Sequence, residues 1–202
     1  MTLMDFYLSS NHIREFVLRL CRLSEQVFEI SLNSSLVTDE LSSLGSDLKS
    51  YAVYSEKMNT ISTSLGNYSK TMLRSSTRIM ELSLEKTTCN SQIQKIREGL
   101  ALMSHGSNIE VVKNSIKDLE KTILPLDAEA ADIMGNLDSD LKHFDLEIKK
   151  LWLLSTNLRT QVEFDEIVYL TNINNKIEVS LQEMGEAVKK LRTELHKLGN
   201  IL

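Results

Sequence analysis

Apolar residues recur along this chain at alternating intervals of three and four positions. The segment from Tyr54 to Leu73 keeps that spacing although Ser and Thr are frequent in it. Its apolar positions are Tyr54, Met58, Ile61, Leu65, Tyr68 and Met72. A repeat that holds at seven residues, without drifting at 3.6, is typical of helices that supercoil around one another. The pattern predicts an all-α protein whose long helices pair through narrow apolar seams.

One seven-residue column runs through the whole first half of the chain. Its members are Phe16, Leu23, Ile30, Val37, Leu44, Tyr51, Met58, Leu65, Met72, Ile79, Lys86, Ile93 and Leu100, of which only Lys86 is charged. A second apolar column precedes the first by three residues up to Leu48 and follows it by three from Tyr54. We interpret this change of flank as a change in the direction or identity of the partner helix.

A row of serines occupies the flank that the second column leaves. Its members are Ser55, Ser62, Ser69, Ser76 and Ser83. Serine is common on solvated helix surfaces, where its small side chain needs no apolar partner. We therefore predict that this row is a solvated flank of the helix.

The segment 104–108 interrupts the apolar pattern. Gly106 suits the C-terminal end of a helix, and Asn108 suits the N-cap of the next one. The segment divides the chain into arm one, residues 11–104, and arm two, residues 109–202. Arms of equal length joined by a short turn favour an antiparallel hairpin. We predict a single elongated domain, an antiparallel coiled-coil hairpin or bundle of long helices.

The hairpin defines which residues lie opposite each other, since residue i would face residue 212 − i. Lys86 would then lie close to Asp127 and Glu129 and could form an ion pair across the seam. If each arm is one rod, Cys21 and Cys89 lie about 100 Å apart. Such a distance excludes a disulfide within the chain and favours two buried small apolar groups.

Three irregularities interrupt the regular spacing, and we expect a kink at each. Residues 33–35, Asn-Ser-Ser, could cap a new helix. Pro125 removes one backbone donor from an otherwise regular stretch of arm two. The phase of the apolar positions slips between residues 163 and 175, where the polar run at 171–176 favours helix less.

Additional apolar residues lie beside both seams, among them Phe28 and Leu153. A lone two-helix hairpin would leave them exposed, so they must be covered either by this chain doubling back or by partner chains. We favour partner chains. The seam residues expected to bind partner helices are Phe16, Leu23, Ile30, Leu44, Tyr51, Met58, Leu65, Met72, Ile79, Trp152, Leu181, Met184, Leu191 and Leu195.

Composition and charge narrow the classes of function. The 202 residues are 42% hydrophobic and 25% charged, proportions that suit an ordered soluble protein. The net charge of −5 argues against a nucleic-acid partner and makes membrane binding unexpected. Two cysteines without a CxxC pair favour a reducing compartment. We expect a cytoplasmic protein, because the N-terminus lacks the regions of a signal peptide.

The residues that carry chemistry are scattered in the sequence. Histidines occur only at positions 12, 105, 143 and 196. Asp140 and His143 share a helix face, but the further carboxylates that a di-metal bundle needs are absent from the pattern. No glycine-rich phosphate loop or catalytic motif occurs. We therefore expect no enzyme activity, no cofactor, no metal and no small-molecule substrate.

Sustained heptads favour a structural coiled-coil subunit of a cytosolic hetero-oligomer, of the cytoskeletal, spindle, kinetochore or vesicle-tethering type. Such a subunit binds other coiled-coil proteins through its seams, and flanking charges fix the register. The first alternative is a membrane-curvature module of BAR-like architecture, in which Pro125 would contribute to the bend. The second alternative is a secreted helical effector or toxin.

Overall fold

Four long helices make up the part of the chain that the structure describes. The computed structural model describes residues 3–43, 49–102, 109–164 and 168–200. The helices are α1 (Leu3–Ser43), α2 (Lys49–Leu102), α3 (Ile109–Phe164) and α4 (Val168–Gly199). The described residues contain no strand, and the prediction of an all-α helical bundle is confirmed.

Each helix packs against two others, and all the neighbours are antiparallel. α1 packs against α2 and α4, and α3 packs against the same two helices. In each pair, a later residue of one helix contacts an earlier residue of the other. The contacts are Ser31–Ser62 and Ser34–Ser55 for α1 with α2, and Arg78–Glu129 and Arg97–Glu120 for α2 with α3. They are Asp145–Arg192 and Arg159–Glu178 for α3 with α4, and His12–Glu194 and Arg19–Glu183 for α1 with α4. The result is an up-down-up-down four-helix arrangement.

The two predicted arms are each folded in half. The chain reverses direction between Ser43 and Lys49, and again between Phe164 and Val168. Folding each arm back covers part of the second apolar flank within one chain, since Val17 is buried and Trp152 is half-buried. Phe28 and Leu153 stay exposed, so their cover by partner chains stays a prediction.

The predicted register is confirmed for α2 and α3. The Lys86 Nζ lies 2.5 Å from Asp127 Oδ1, as the relation between i and 212 − i requires. The α1–α4 pair departs from that relation, since Arg19 bonds to Glu183 at 3.1 Å and not to a residue near 193. Because α1 and α4 do not continue α2 and α3 as straight rods, the register of one pair does not constrain the other.

The predicted kinks have different outcomes. α1 is continuous through residues 33–35 and α3 is continuous through Pro125, so any bend there stays a prediction. The segment 163–175 contains a helix boundary, since α3 ends at Phe164 and α4 begins at Val168. The polar run at 171–176 lies within α4. The predicted turn at 104–108 lies outside the described residues.

Candidate interaction surfaces

Most of the predicted seam residues lie in the core of the chain's own bundle. Those that are buried are Leu23, Tyr51, Met58, Leu65, Met72, Ile79, Leu181, Met184, Leu191 and Leu195. Phe16, Ile30 and Trp152 are half-buried against this core. Leu44 lies outside the described residues. The buried members pack against helices of the same chain, so a surface for partners has to be sought elsewhere.

The second apolar column, which includes Ile13, Leu20 and Val27, lies near the centre of the α1 interface. Ile13, Val17, Leu20 and Val27 are fully buried, whereas Phe16 is only half-buried. α1 contacts α2 on one side and α4 on the other, so its buried face is wider than a single coiled-coil seam. The column that begins at Phe16 therefore marks one edge of this face.

The serine row of α2 is buried, and its prediction as a solvated flank is wrong. The exposed fraction of Ser55, Ser62, Ser69, Ser76 and Ser83 is at most 2%. The row faces α1, which contributes small buried residues of its own: Ser10, Ser24, Ser31, Ser34 and Thr38. Both helices therefore contribute small polar side chains to the α1–α2 interface.

The buried hydroxyls are satisfied by hydrogen bonds. Ser62 Oγ donates to the Met58 carbonyl at 2.6 Å, and the hydroxyls of Ser31 and Ser62 lie 3.0 Å apart. The hydroxyls of Ser34 and Ser55 lie 2.9 Å apart. A hydroxyl that bonds to a carbonyl of its own helix keeps a partner after leaving water. Burial of this row therefore costs little, and the interface combines close packing with polar contacts.

A polar network connects α3 with α4. Ser155 Oγ donates to Asn174 Oδ1 at 2.8 Å, and Asn174 Nδ2 donates to Glu178 Oε1 at 3.2 Å. Arg159 Nη1 donates to Glu178 Oε2 at 3.0 Å. Ser155 and Asn174 are fully buried. A polar group buried in this way is satisfied in only one register, so the network specifies how α4 pairs with α3.

The four-helix part of the molecule ends near Lys86. Its ammonium lies 5.1 Å from the centroid of the Phe6 ring and bonds to Asp127. About two turns earlier on α2, Arg78 donates to both oxygens of Glu129 at 2.7 and 3.1 Å. The guanidinium lowers the pKa of Glu129, and the carboxylates of Glu129 and Glu81 raise the pKa of Arg78. Both pairs lie where α1 meets the α2–α3 pair.

Beyond this end, α2 and α3 continue as what we call the projecting hairpin, residues 89–102 and 109–123. It extends about 20 Å past the end of α1. Its buried apolar side chains are Ile93 and Ile116, and Arg97 bonds to Glu120 at 2.7 Å across its side. The positions that continue the serine row along the hairpin are Asn90 and Arg97. Their larger polar side chains suit this face, because no third helix covers it among the described residues.

The tip of the projecting hairpin is apolar and exposed. Leu102 is 89% exposed and Val111 is 65% exposed. Leu100, Ile109 and Val112 are only partly covered beside them. Exposed large apolar side chains at the end of a projection are typical of a protein-binding site. This group is called the apolar tip below.

The two cysteines do not approach each other, although they are closer than two straight arms would allow. Cys21 Sγ donates to the Ser69 carbonyl at 3.3 Å. Cys89 lies twenty residues further along α2, about 30 Å away. Burial raises the pKa of the Cys21 thiol. Both cysteines are free and half-buried, so neither is the fully buried apolar group that the sequence suggests.

Asp140 and His143 are placed on α3 without further ligating groups. The His143 ring stacks on Tyr68 of α2, with 5.7 Å between the centroids. Burial raises the pKa of Asp140. Within the described ranges, no three side chains of His, Cys, Asp or Glu are grouped closely enough to hold a metal ion.

Comparison of the chain with models of known protein families finds no match, and comparisons with curated proteins and with solved structures find none either. Among the described helices, none combines the length and the apolar character that a bilayer crossing requires.

Proposed function

We propose that this chain is a structural subunit of a cytosolic multi-protein assembly and binds other proteins through helix–helix contacts. The assembly would be of the cytoskeletal, spindle, kinetochore or vesicle-tethering type. The observation that carries the proposal is the projecting hairpin with its apolar tip. A four-helix body carries it, while Leu102 and Val111 are exposed to another chain.

The burial of the apolar side chains supports different roles for the four-helix body and the projecting hairpin. The body uses its apolar seam to fold, since Met58, Leu65 and Met72 are inaccessible. The hairpin has only two helices, so its seam can accept a third or fourth helix from a partner. Partner helices would cover the apolar tip and pack against the half-exposed Leu100 and Val112.

The test compares protein binding by the Leu102→Ser/Val111→Ser variant with binding by wild type. Chains that co-purify at native expression are identified by mass spectrometry, and binding is then reconstituted from purified components. The tip variant should bind at least about tenfold more weakly, because apolar anchors at the centre of an interface carry much of its affinity.

The matched control is Leu84→Ser/Val179→Ser, which removes two exposed apolar side chains from the body. It should bind like wild type. Equal binding by the tip variant and the control would show that the tip is not the docking site.

The membrane-curvature alternative makes a different prediction. Such a module would co-sediment with anionic vesicles in a salt-sensitive way, because its contacts would be electrostatic. Sedimentation of purified protein with vesicles separates this function from protein binding by the tip.

A further inference from the structure

The side chains of Leu102 and Val111 lie on the same side of the projecting hairpin. Leu102 belongs to the seven-residue column of Thr60 on α2, and Val111 belongs to the column of Leu153 on α3. Thr60 and Leu153 both line a groove between α2 and α3 in the four-helix body. Because α1 and α4 cover the opposite side of the α2–α3 pair, this groove opens on the outer side. A heptad column keeps to one side of a supercoiled helix, so we call the side with Leu102 and Val111 the outer face of the hairpin.

The outer face carries charges of opposite sign on its two helices. Lys95 precedes Leu102 by one heptad on α2, and Asp118 follows Val111 by one heptad on α3. Lys95 is exposed, and Asp118 forms an ion pair with Lys121 at 3.4 Å in which both side chains are exposed. The face therefore has an ammonium on its α2 half and a carboxylate on its α3 half, each one heptad from an exposed apolar side chain.

The other charged groups of the hairpin lie at the edges of this face or on the opposite side. Glu98 on α2 and Lys121 on α3 are at the edges and differ in sign. Arg97 continues the serine row, which faces α1 in the body. The remaining groups on α3 are Glu110, Lys113, Lys117 and Glu120. Their columns contain Asp145 and Ser155, which bond to α4 in the body, so they point away from the outer face.

A second copy of the hairpin fits the outer face when a two-fold axis runs parallel to the helices. In that arrangement α2 of each copy lies on α3 of the other, and residue i of one copy lies level with residue 212 − i of the other. Leu102 then meets the second copy's Val111, and Lys95 meets its Asp118. Each contact occurs twice, because the same surface serves both copies. No described helix lies on the outer side to obstruct the pair, since α1 and α4 pack on the opposite side.

The contact is limited to the projecting hairpin. Gly99 and Ser115 lie between the apolar and the charged contacts, and their small size lets the two hairpins approach closely. Farther along the same columns, Glu81 would face Asp132 of the second copy, so like charges keep the two bodies apart. A face about 20 Å long and two helices wide buries about 400 Å² per copy. This area is at the low end for specific interfaces, so the pair should be weak and reversible.

We infer that this chain pairs with a second copy of itself through the outer faces of the two projecting hairpins. The apolar side chains at the tip supply most of the affinity, and two reciprocal lysine–aspartate contacts select the orientation. The inference rests on the proposed function in one respect, namely that the apolar tip is a docking site. It assigns the outer side of the tip to the second copy and leaves the seam side, with Leu100, to other proteins.

Charge exchange on the purified chain tests the pairing. Lys95→Asp gives a copy with two carboxylates on the outer face, and Asp118→Lys gives a copy with two ammonium groups. Each variant alone brings like charges together, so its dimer Kd should rise at least about tenfold. An equimolar mixture of the two variants should form a mixed dimer with about wild-type affinity, because every charged contact then joins opposite signs. Sedimentation equilibrium measures each case.

The matched control is Lys117→Asp, which makes the same charge change on the α4 side of the hairpin and should leave the dimer unchanged. Leu102→Ser/Val111→Ser removes the apolar contacts and should abolish dimerisation. Circular dichroism establishes that each variant keeps its helical content. A wild-type chain that stays monomeric at about 500 µM overturns the inference, because even a weak specific pair is largely dimeric at that concentration. So does a mixture of the two charge variants that forms no dimer.

Two results separate this inference from the proposed function. A monomeric wild-type chain whose co-purifying proteins are lost in Leu102→Ser/Val111→Ser contradicts self-pairing and leaves the proposed function in place. A wild-type chain that dimerises, while Leu102→Ser/Val111→Ser retains every co-purifying protein, supports self-pairing and contradicts the proposed docking site.

Discussion

A serine row in a heptad pattern can be either exposed to solvent or buried between helices, and the row of α2 is buried. On a solvated flank its hydroxyl bonds to water. In a close helix interface, the same hydroxyl bonds to a carbonyl of its own helix or to a facing hydroxyl, as Ser62 does with Met58 and Ser31. The two settings have the same sequence spacing. The burial of Ser62 depends on the return of α1 along α2, which its own neighbours in sequence do not reveal.

Enlarging a side chain in this row should weaken the fold. Ser62→Leu adds volume where α1 and α2 are in close contact, and we expect the free energy of unfolding to fall by about 1–3 kcal/mol. Thr71→Leu is the matched control on the exposed side of α2, with an expected change within about 0.5 kcal/mol. Chemical denaturation measures both variants. An equal effect of the two would mean that the serine row is not tightly packed.

The helices themselves contain glycines where a helix is usually more stable with alanine. Gly66, Gly135 and Gly185 lie inside α2, α3 and α4, and a Cβ added at any of them would meet no atom within 4 Å. Glycine there gives up backbone entropy on folding without allowing a close approach. Their helices form because long amphipathic faces are buried, which outweighs the local preference.

Replacing these glycines with alanine should therefore stabilise the protein. Each of Gly66→Ala, Gly135→Ala and Gly185→Ala should raise the free energy of unfolding by about 0.5–1 kcal/mol. Gly199→Ala is the control and should gain less, since Gly199 is the last residue of α4. Urea denaturation gives the comparison. A loss of stability at an interior position would contradict the open space that surrounds these glycines.

The molecule consists of a four-helix body and a two-helix extension, the projecting hairpin. Along most of α2, helices on two sides cover the buried face, whereas the projecting hairpin has a single two-helix seam. Ile93 and Ile116 are its buried apolar side chains. Local opening costs less where fewer apolar groups are buried. The molecule therefore joins a stable body to a less stable extension within the same two helices.

Hydrogen exchange should divide α2 at the end of the body. Amides at positions 55–83 should exchange at least about 100-fold more slowly than those at 90–102, because opening the body exposes much more apolar surface. The two segments belong to one helix, so each serves as the control for the other. Mass spectrometry of peptides measures the rates. Uniform protection along α2 would contradict the division into body and extension.

Several features could be read from local sequence. The seven-residue column predicts helices and a paired seam, and the register of α2 with α3 follows from the break in the apolar pattern at residues 104–108. The Lys86–Asp127 ion pair is correctly placed by that register alone. One further signal was available, since Gly45 followed by Ser46 and Asp47 combines the same stop and start residues that surround Gly106. It would have marked the reversal between α1 and α2.

The sequence by itself determined that the chain is helical, which residues form its apolar columns, and how α2 meets α3. These properties depend on spacing along one helix or across one short turn. Only the tertiary structure decided that each arm folds in half, that the serine row is buried, and that Phe28 and Leu153 remain exposed. The physical reason is that an apolar or small side chain can be covered by any helix of matching shape. A heptad pattern shows that a cover is needed, and the packing of the whole chain determines which helix provides it.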